Sequence, residues 1–163
     1  MENEYATTTS PFAEFNRRTF LGIVLIAGIS SLITVTVAKL LDQFVISPAL
    51  CGSAAEAACT NSISVSFHIA SLIAAIAAVA MLVNLSVYRP LLVVIAAMIG
   101  SWGMYNQPFP LVNAPWYLQI AMIFFVNALA FLTFAWILRA YNLAAGIALT
   151  LIITALMILA VIL

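Results

Sequence analysis

Long apolar runs alternate with short polar segments along almost the whole chain. Most of these runs approach or exceed the roughly 18 to 20 residues that cross the hydrocarbon of a bilayer as a helix. In lipid, unpaired backbone groups cost several kcal/mol each, and a closed barrel would instead show alternating strands of about ten residues. The pattern therefore predicts an all-α, polytopic transmembrane bundle. Its five predicted spans are residues 19–41, 63–85, 90–105, 117–138 and 143–163.

The polar segments between these runs set the predicted boundaries. Residues 1–18 form a polar N-terminal tail, and residues 42–62 are a loop rich in small residues. Residues 106–116 contain three prolines and cannot continue a helix, so a tight surface loop is expected there. Pro90 suits the first position of a helix, where the amide hydrogen it lacks is not needed. Residues 19–163 then form one bundle without an internal linker.

Arginine placement predicts the orientation of the bundle. Short cytoplasmic loops carry the excess of Lys and Arg. With the N-terminus inside, Arg17, Arg18, Arg89 and Arg139 all fall on the cytoplasmic side, and Lys39 alone lies near the outer face. Five spans then place the C-terminus outside. Tyrosine and tryptophan prefer the two membrane–water interfaces, and their positions agree with this orientation. Those expected at the outer interface are Trp102, Tyr105, Trp116 and Tyr117, and those expected at the inner interface are Tyr88, Trp136 and Tyr141.

Composition restricts the class of protein further. Apolar residues make up 66% of the 163, charged residues make up 6%, and the formal net charge is zero. A soluble domain has about 25% charged residues, so this chain could not cover a water-exposed surface. Its few basic residues form no patch for phosphate groups, which excludes nucleic acid as a partner. The expected surroundings are a lipid bilayer and other membrane subunits or further copies of the chain, in a prokaryotic cell membrane.

Two cysteines, Cys51 and Cys59, lie in the loop that we place outside. An oxidising compartment would allow them to pair. Eight positions of regular helix cover about 12 Å, too far for bonded cysteines, so a bridge requires the loop to fold back. Unpaired or modified thiols and a redox-active pair are the alternatives. The redox pair is disfavoured because such enzymes usually carry a Cys-x-x-Cys and a second pair or a quinone site.

Three ionisable residues are expected at similar depth near the outer surface: Lys39, Asp42 and His68. Lys39 and Asp42 are three positions apart and share a helix face. Ionisable groups in spans are functional candidates by default, although Lys39 is close enough to the boundary to extend its ammonium into water. The one histidine is too few for a zinc site, which needs three or four ligands. We therefore predict no metal, no cofactor and no catalytic residue.

Asn127 is the deepest strongly polar side chain, at the midpoint of the fourth span, and Ser30 and Ser31 lie at the midpoint of the first. An amide at this depth must bond to another helix, and the serine pair is the best partner at that level. Helix packing is the expected role of these residues, and a substrate contact is the alternative.

Three classes of function remain. A non-catalytic accessory, assembly or organising subunit of a membrane complex agrees best with the lack of catalytic motifs. A small transporter or channel would need several copies of the chain, because five spans leave little room for an internal path. Its polar positions would be Lys39, Asp42, His68 and Asn127. A membrane enzyme is the third class, and it would normally show several acids, histidines or cysteines near one depth.

Overall fold

The computed structural model describes residues 17–51, 61–87, 89–105, 114–140 and 143–162. Within these ranges all secondary-structure elements are helices or helical turns, and there is no strand. The helices are α1 (Arg17–Leu41), α2 (Ser47–Cys51), α3 (Ser62–Asn84), α4 (Pro90–Ser101), α5 (Trp116–Ala140) and α6 (Leu143–Ile162). A π-helical turn, Asp42–Ile46, joins α1 to α2, and a 3₁₀ turn, Trp102–Tyr105, extends α4.

The described helices begin and end close to the predicted boundaries, with one exception after α1. A loop was expected from Asp42 onward, but the chain stays helical to Cys51. Pro48 explains the π-helical turn, because proline lacks an amide hydrogen and its ring would meet the carbonyl of Phe44 in a regular α-helix. The chain widens before it, and the Ser47 amide donates to the carbonyl of Asp42, five residues back. The helix thus passes the proline without breaking.

A tight turn reverses the chain between α3 and α4. The Val87 amide donates to the Leu82 carbonyl at 3.1 Å, and the Ser86 amide donates to the Val83 carbonyl at 2.9 Å. This pair of bonds is the Schellman ending of a helix, with Ser86 in the left-handed region at φ 57°. Arg89 is also left-handed, and Pro90 then opens α4 at its first position, as expected from the sequence.

Four helices pack in a ring, in the order α1, α3, α4 and α5, and α5 returns to α1. The most extensive contacts join α1 to α3 and to α5, and α6 packs outside the ring against α4 and α5. The start of α1 lies beside the end of α3, and the start of α3 lies beside the end of α4, so these neighbouring helices run in opposite directions. Two ends can therefore be named: the Arg17 end, where Gly22 faces Leu85, and the Tyr105 end, where Phe67 stacks on Tyr105.

Three described helical segments are long and apolar enough to cross a membrane by length and composition. They are Arg17–Ala49, Ser62–Asn84 and Trp116–Leu138, and Pro90–Tyr105 is a shorter apolar helix. The surface of the bundle carries many exposed large aliphatic and aromatic side chains, as lipid contact requires. An all-helical fold with three such segments is compatible with a membrane protein.

Candidate functional site: a polar layer inside the bundle

Buried polar side chains are confined to part of the bundle. All of those in the described residues lie between the middle of the ring and the Tyr105 end. They are Ser30, Ser31, Thr34, Ser62, Ser64, Ser66, Ser71, Ser101, Gln119 and Asn127. The interior at the Arg17 end is a continuous apolar cluster around residues such as Ile23, Leu82 and Phe134. Among the described residues, fully buried polar side chains therefore lie in the middle of the ring and at its Tyr105 end, while single enclosed polar atoms occur on half-buried Arg89 and Thr150.

Most of the buried hydroxyls bond to their own helix. Ser31 donates to the Gly28 carbonyl at 2.8 Å, and Thr34 donates to the Ser30 carbonyl at 2.9 Å. Ser66 and Ser71 do the same within α3, to the carbonyls of Ser62 and His68. Such local bonds satisfy a hydroxyl where water is excluded, and they allow two helices to approach closely. These side chains are suited to helix packing.

Ser64 is the exception, because its hydroxyl bonds to a different element. It donates to the carbonyl of Tyr105 at 2.6 Å, within the buried interior. Tyr105 ends the 3₁₀ turn, where the last carbonyls of a helix have no partner in their own element. The bond therefore fixes the end of this turn against α3. Sequence reasoning missed it, since 41 positions separate the two residues.

His68 lies beside this bond in an aromatic setting. Its Nδ1 is 2.7 Å from the Ser64 carbonyl, so Nδ1 carries a proton and donates it. The imidazole packs against Trp102 with ring centroids 4.5 Å apart, and against the edge of Tyr105 at 5.7 Å. Nε2 is enclosed and has no hydrogen-bond partner among the described residues. His68 thus lies in a half-buried aromatic pocket near the Tyr105 end.

The three ionisable residues predicted near one depth do not form ion pairs with one another. Lys39 is exposed in the last turn of α1, and Asp42 is half-buried at the start of the π-helical turn. Oδ1 of Asp42 is enclosed and, within the described part of the chain, has no hydrogen-bond partner. The described residues also contain no group of three His, Cys, Asp or Glu placed to hold a metal ion.

The cysteine pair falls partly outside the described residues. Cys51 is the last residue of α2, with its Sγ 3.6 Å from the Ser47 hydroxyl oxygen. Cys59 lies outside the described ranges, so these contain no pair of cysteines at bonding distance. The bridge between Cys51 and Cys59 stays a prediction.

Asn127 and Ser30 meet at a small cavity on the axis of the ring. The cavity has a volume of about 20 Å³ and receives side chains from all four ring helices. Asn127 is 8% exposed and Ser30 is 3% exposed. Neither the Asn127 carboxamide nor the Ser30 hydroxyl bonds to a described residue. Ser31, the other predicted partner, is turned to its own helix. Asn127 and Ser30 thus line the same cavity, and the direct hydrogen bond expected between them is not formed.

A second, larger cavity has a different character. It is a groove of about 160 Å³ on the outside of the ring, where α6 packs on α4. Aliphatic side chains form nearly all of its wall. They include Leu92, Ile95, Ile99, Leu138, Ile147 and Leu151. Such a groove offers apolar contacts without directional recognition.

Comparisons of the chain with known protein families, with curated proteins and with solved structures find no match.

Proposed function

We propose that this chain is a five-span integral membrane protein that acts as a non-catalytic accessory, assembly or organising subunit of a membrane complex. The observation that carries the proposal is how the interior polar groups are used. The hydroxyls of Ser31, Thr34, Ser66 and Ser71 bond to their own helices, and Ser64 joins two elements. The Ser64 bond joins α3 to the end of the 3₁₀ turn, the other bonds satisfy hydroxyls within a helix, and together they leave few groups for a substrate.

The size of the axial cavity supports the same proposal. A cavity of about 20 Å³ has room for a single water molecule and none for a metabolite or a hydrated ion. Its lining also contains no charged residue. The axial cavity therefore does not accommodate a larger solute, and the aliphatic exterior suits contact with lipid and with other membrane helices.

The proposed topology places the N-terminus in the cytoplasm and the C-terminus outside, in a prokaryotic cell membrane. Arg17, Arg18 and Arg89, together with Arg139 in the last turn of α5, lie at one end of the bundle, and Lys39 lies at the other. This grouping supports the assignment of the Arg17 end to the cytoplasm. Helix α6 has 20 residues, or about 30 Å of helix, which suits a fifth span.

Reporter fusions at both termini test the topology. A cytoplasmic reporter should be active at the N-terminus, and a reporter that requires export should be active at the C-terminus. A C-terminal fusion that is active in the cytoplasm contradicts five spans and indicates an even number of spans.

Site-directed photo-crosslinking in the source cells tests the role. A photoreactive amino acid is placed at Leu25, Ile76, Phe125 or Leu151, one exposed position on each of four helices. Buried Phe134 is the control and should give no product. Crosslinks from one face to a different membrane protein support a subunit role. Products made only of this chain, with a single discrete oligomer in mild detergent, contradict it and favour a homo-oligomeric transporter or channel.

The transporter remains the second candidate because of one observation. Asn127 lines the axial cavity near the midpoint of its helix, and its carboxamide is not hydrogen-bonded to a described residue. Polar groups at such a position are typical of transport pathways.

We also propose that Cys51 and Cys59 form an intramolecular bridge that is structural and not redox-active. The positions of the two cysteines in the chain support this bridge. Cys51 ends α2, beyond the predicted outer boundary, and the next helix, α3, begins at Ser62, so only a short segment separates the two helices. Closing so short a loop stabilises the folded state by about 2 to 3 kcal/mol. Thiol labelling of the native membrane protein without reductant should fail, and stoichiometric labelling of both cysteines contradicts the bridge.

A further inference from the structure

We infer that the axial cavity between Ser30 and Asn127 is a hydration site that binds one water molecule, through which α1 and α5 are hydrogen-bonded at the middle of the bundle. Both side chains are more than nine-tenths buried, both residues line the cavity, and neither side chain is hydrogen-bonded to a described residue. Buried polar groups of this kind are almost always hydrogen-bonded in folded proteins. A shared ligand satisfies both.

The volume of the cavity selects the ligand. A cavity needs about 10 to 15 Å³ to hold a water molecule, and this one has about 20 Å³. A second water molecule or a larger solute does not fit. An ion is disfavoured because none of the lining residues is charged, and an isolated charge in an apolar interior carries a large desolvation cost.

The hydrogen-bonding groups around the cavity match water, which both donates and accepts. The Asn127 amide nitrogen and the Ser30 hydroxyl offer donors, and the Asn127 oxygen is an acceptor. Ser71 also lines the cavity, and its hydroxyl hydrogen is already directed to the carbonyl of His68. Its oxygen therefore remains available as an acceptor. A buried water usually makes about three hydrogen bonds, and this site provides that number.

Solid-state NMR of the full-length protein in lipid bilayers tests the site. With asparagine labelled by ¹⁵N, magnetisation is transferred from water to the side-chain amides. Asn61 and Asn84 are exposed and serve as positive controls, and the Asn127 signal is assigned by its loss in Asn127→Leu. The hydrocarbon surroundings contain no water, so transfer to Asn127 requires a water molecule inside the bundle. We expect transfer to Asn127 in the native protein.

A pair of variants on α3 sharpens the test. Ala75 lines the cavity, and Ala75→Val fills it, while Ala80 is exposed and Ala80→Val is the matched control. We expect transfer to Asn127 to be lost in Ala75→Val and kept in Ala80→Val. If Ala75→Val does not fold, the native protein still decides. Absence of transfer to Asn127 beside clear transfer to Asn61 overturns the site, and so does transfer that persists in a folded Ala75→Val protein.

Discussion

The Arg17 end and the Tyr105 end of the bundle are built on different principles. At the Arg17 end, described side chains from α1, α3, α4 and α5 form one apolar cluster in which no buried polar group takes part. At the Tyr105 end a smaller apolar cluster, with Phe67 and Tyr105, is surrounded by buried serines. The interior of the Arg17 end is apolar, and the interior of the Tyr105 end adds buried hydrogen bonds between and within helices.

This difference predicts which kind of substitution destabilises each end of the bundle. In lipid the hydrophobic effect does not drive helices together, so an apolar interface depends on dispersion contacts and close fit. The Arg17 end should therefore be sensitive to volume. The Tyr105 end should be sensitive to the loss of specific bonds, each contributing less than a large side chain does.

The largest effect is expected from a large-to-small change at the Arg17 end. Phe134 is 0% exposed, and Phe134→Ala removes a ring that packs within the apolar cluster. The free energy of unfolding should fall by about 3 kcal/mol or more. Titration with a denaturing detergent in mixed micelles measures it. On the same helix, Phe125 is 63% exposed, and Phe125→Ala should change the value by less than about 0.5 kcal/mol. Equal losses would mean that the apolar cluster does not hold this end.

A small-to-large change at the same end should have the next effect. A Cβ at Gly22 would lie 2.6 Å from Cδ2 of Leu85, closer than two carbons can approach. Gly22→Ala should cost about 1 to 2 kcal/mol of unfolding free energy, since overpacking displaces the neighbour. At Gly28 the nearest atoms, on Phe124, are 3.7 Å away, which is ordinary contact. Gly28→Ala should be neutral or stabilising by up to about 1 kcal/mol, because alanine favours helix.

The double variant Gly22→Ala with Leu85→Ala provides the check on this mechanism. It should cost less than the sum of the two single changes, since the smaller side chain removes the clash. Strict additivity would show that Gly22 and Leu85 are not in contact.

At the Tyr105 end, Ser64→Ala should cost about 1 kcal/mol. It removes a buried bond of 2.6 Å and leaves the Tyr105 carbonyl without that donor. Ser66 is also buried, but it donates to the Ser62 carbonyl in its own helix, and that carbonyl keeps its backbone partner. Ser66→Ala should therefore have an effect near zero. A larger loss for Ser66→Ala than for Ser64→Ala would show that bonds between elements do not distinguish this end.

The helices of this chain could be predicted because their causes are local. Apolar runs mark the interiors of the helices, and Pro90 marks the start of α4 where the sequence placed it. The continuation past Asp42 could not be predicted, because the chain stays helical only by widening into a π-helical turn before Pro48. A proline such as Pro48 can either end a helix or be passed by such a turn, and the sequence pattern does not distinguish the two outcomes.

The sequence could predict which polar residues lie at the same level along their helices, but it could not predict which of them are hydrogen-bonded. Counting residues from the ends of the helices places Asn127 and Ser30 at one level, and both do line one cavity. Whether the Asn127 and Ser30 side chains are hydrogen-bonded depends on their rotamers and on the cavity of about 20 Å³ between the helices. Neither can be predicted from the sequence. The bond from Ser64 to Tyr105 likewise depends on the exact ending of α4 as a 3₁₀ turn.

The smallest effect is expected at the boundary between the two ends. Asn127→Leu removes no bond to a described residue, and leucine is of similar size and suits an apolar interior. The free energy of unfolding should fall by about 0.6 kcal/mol or less, the average for a polar contact between membrane helices. The same variant also separates packing from transport. Reconstituted in liposomes, the native protein and Asn127→Leu should show the same low permeability to water and protons in stopped-flow measurements. If the native protein conducts either species and Asn127→Leu abolishes that flux with its stability unchanged, the carboxamide serves a pathway, and the transporter displaces the accessory subunit as the proposed function.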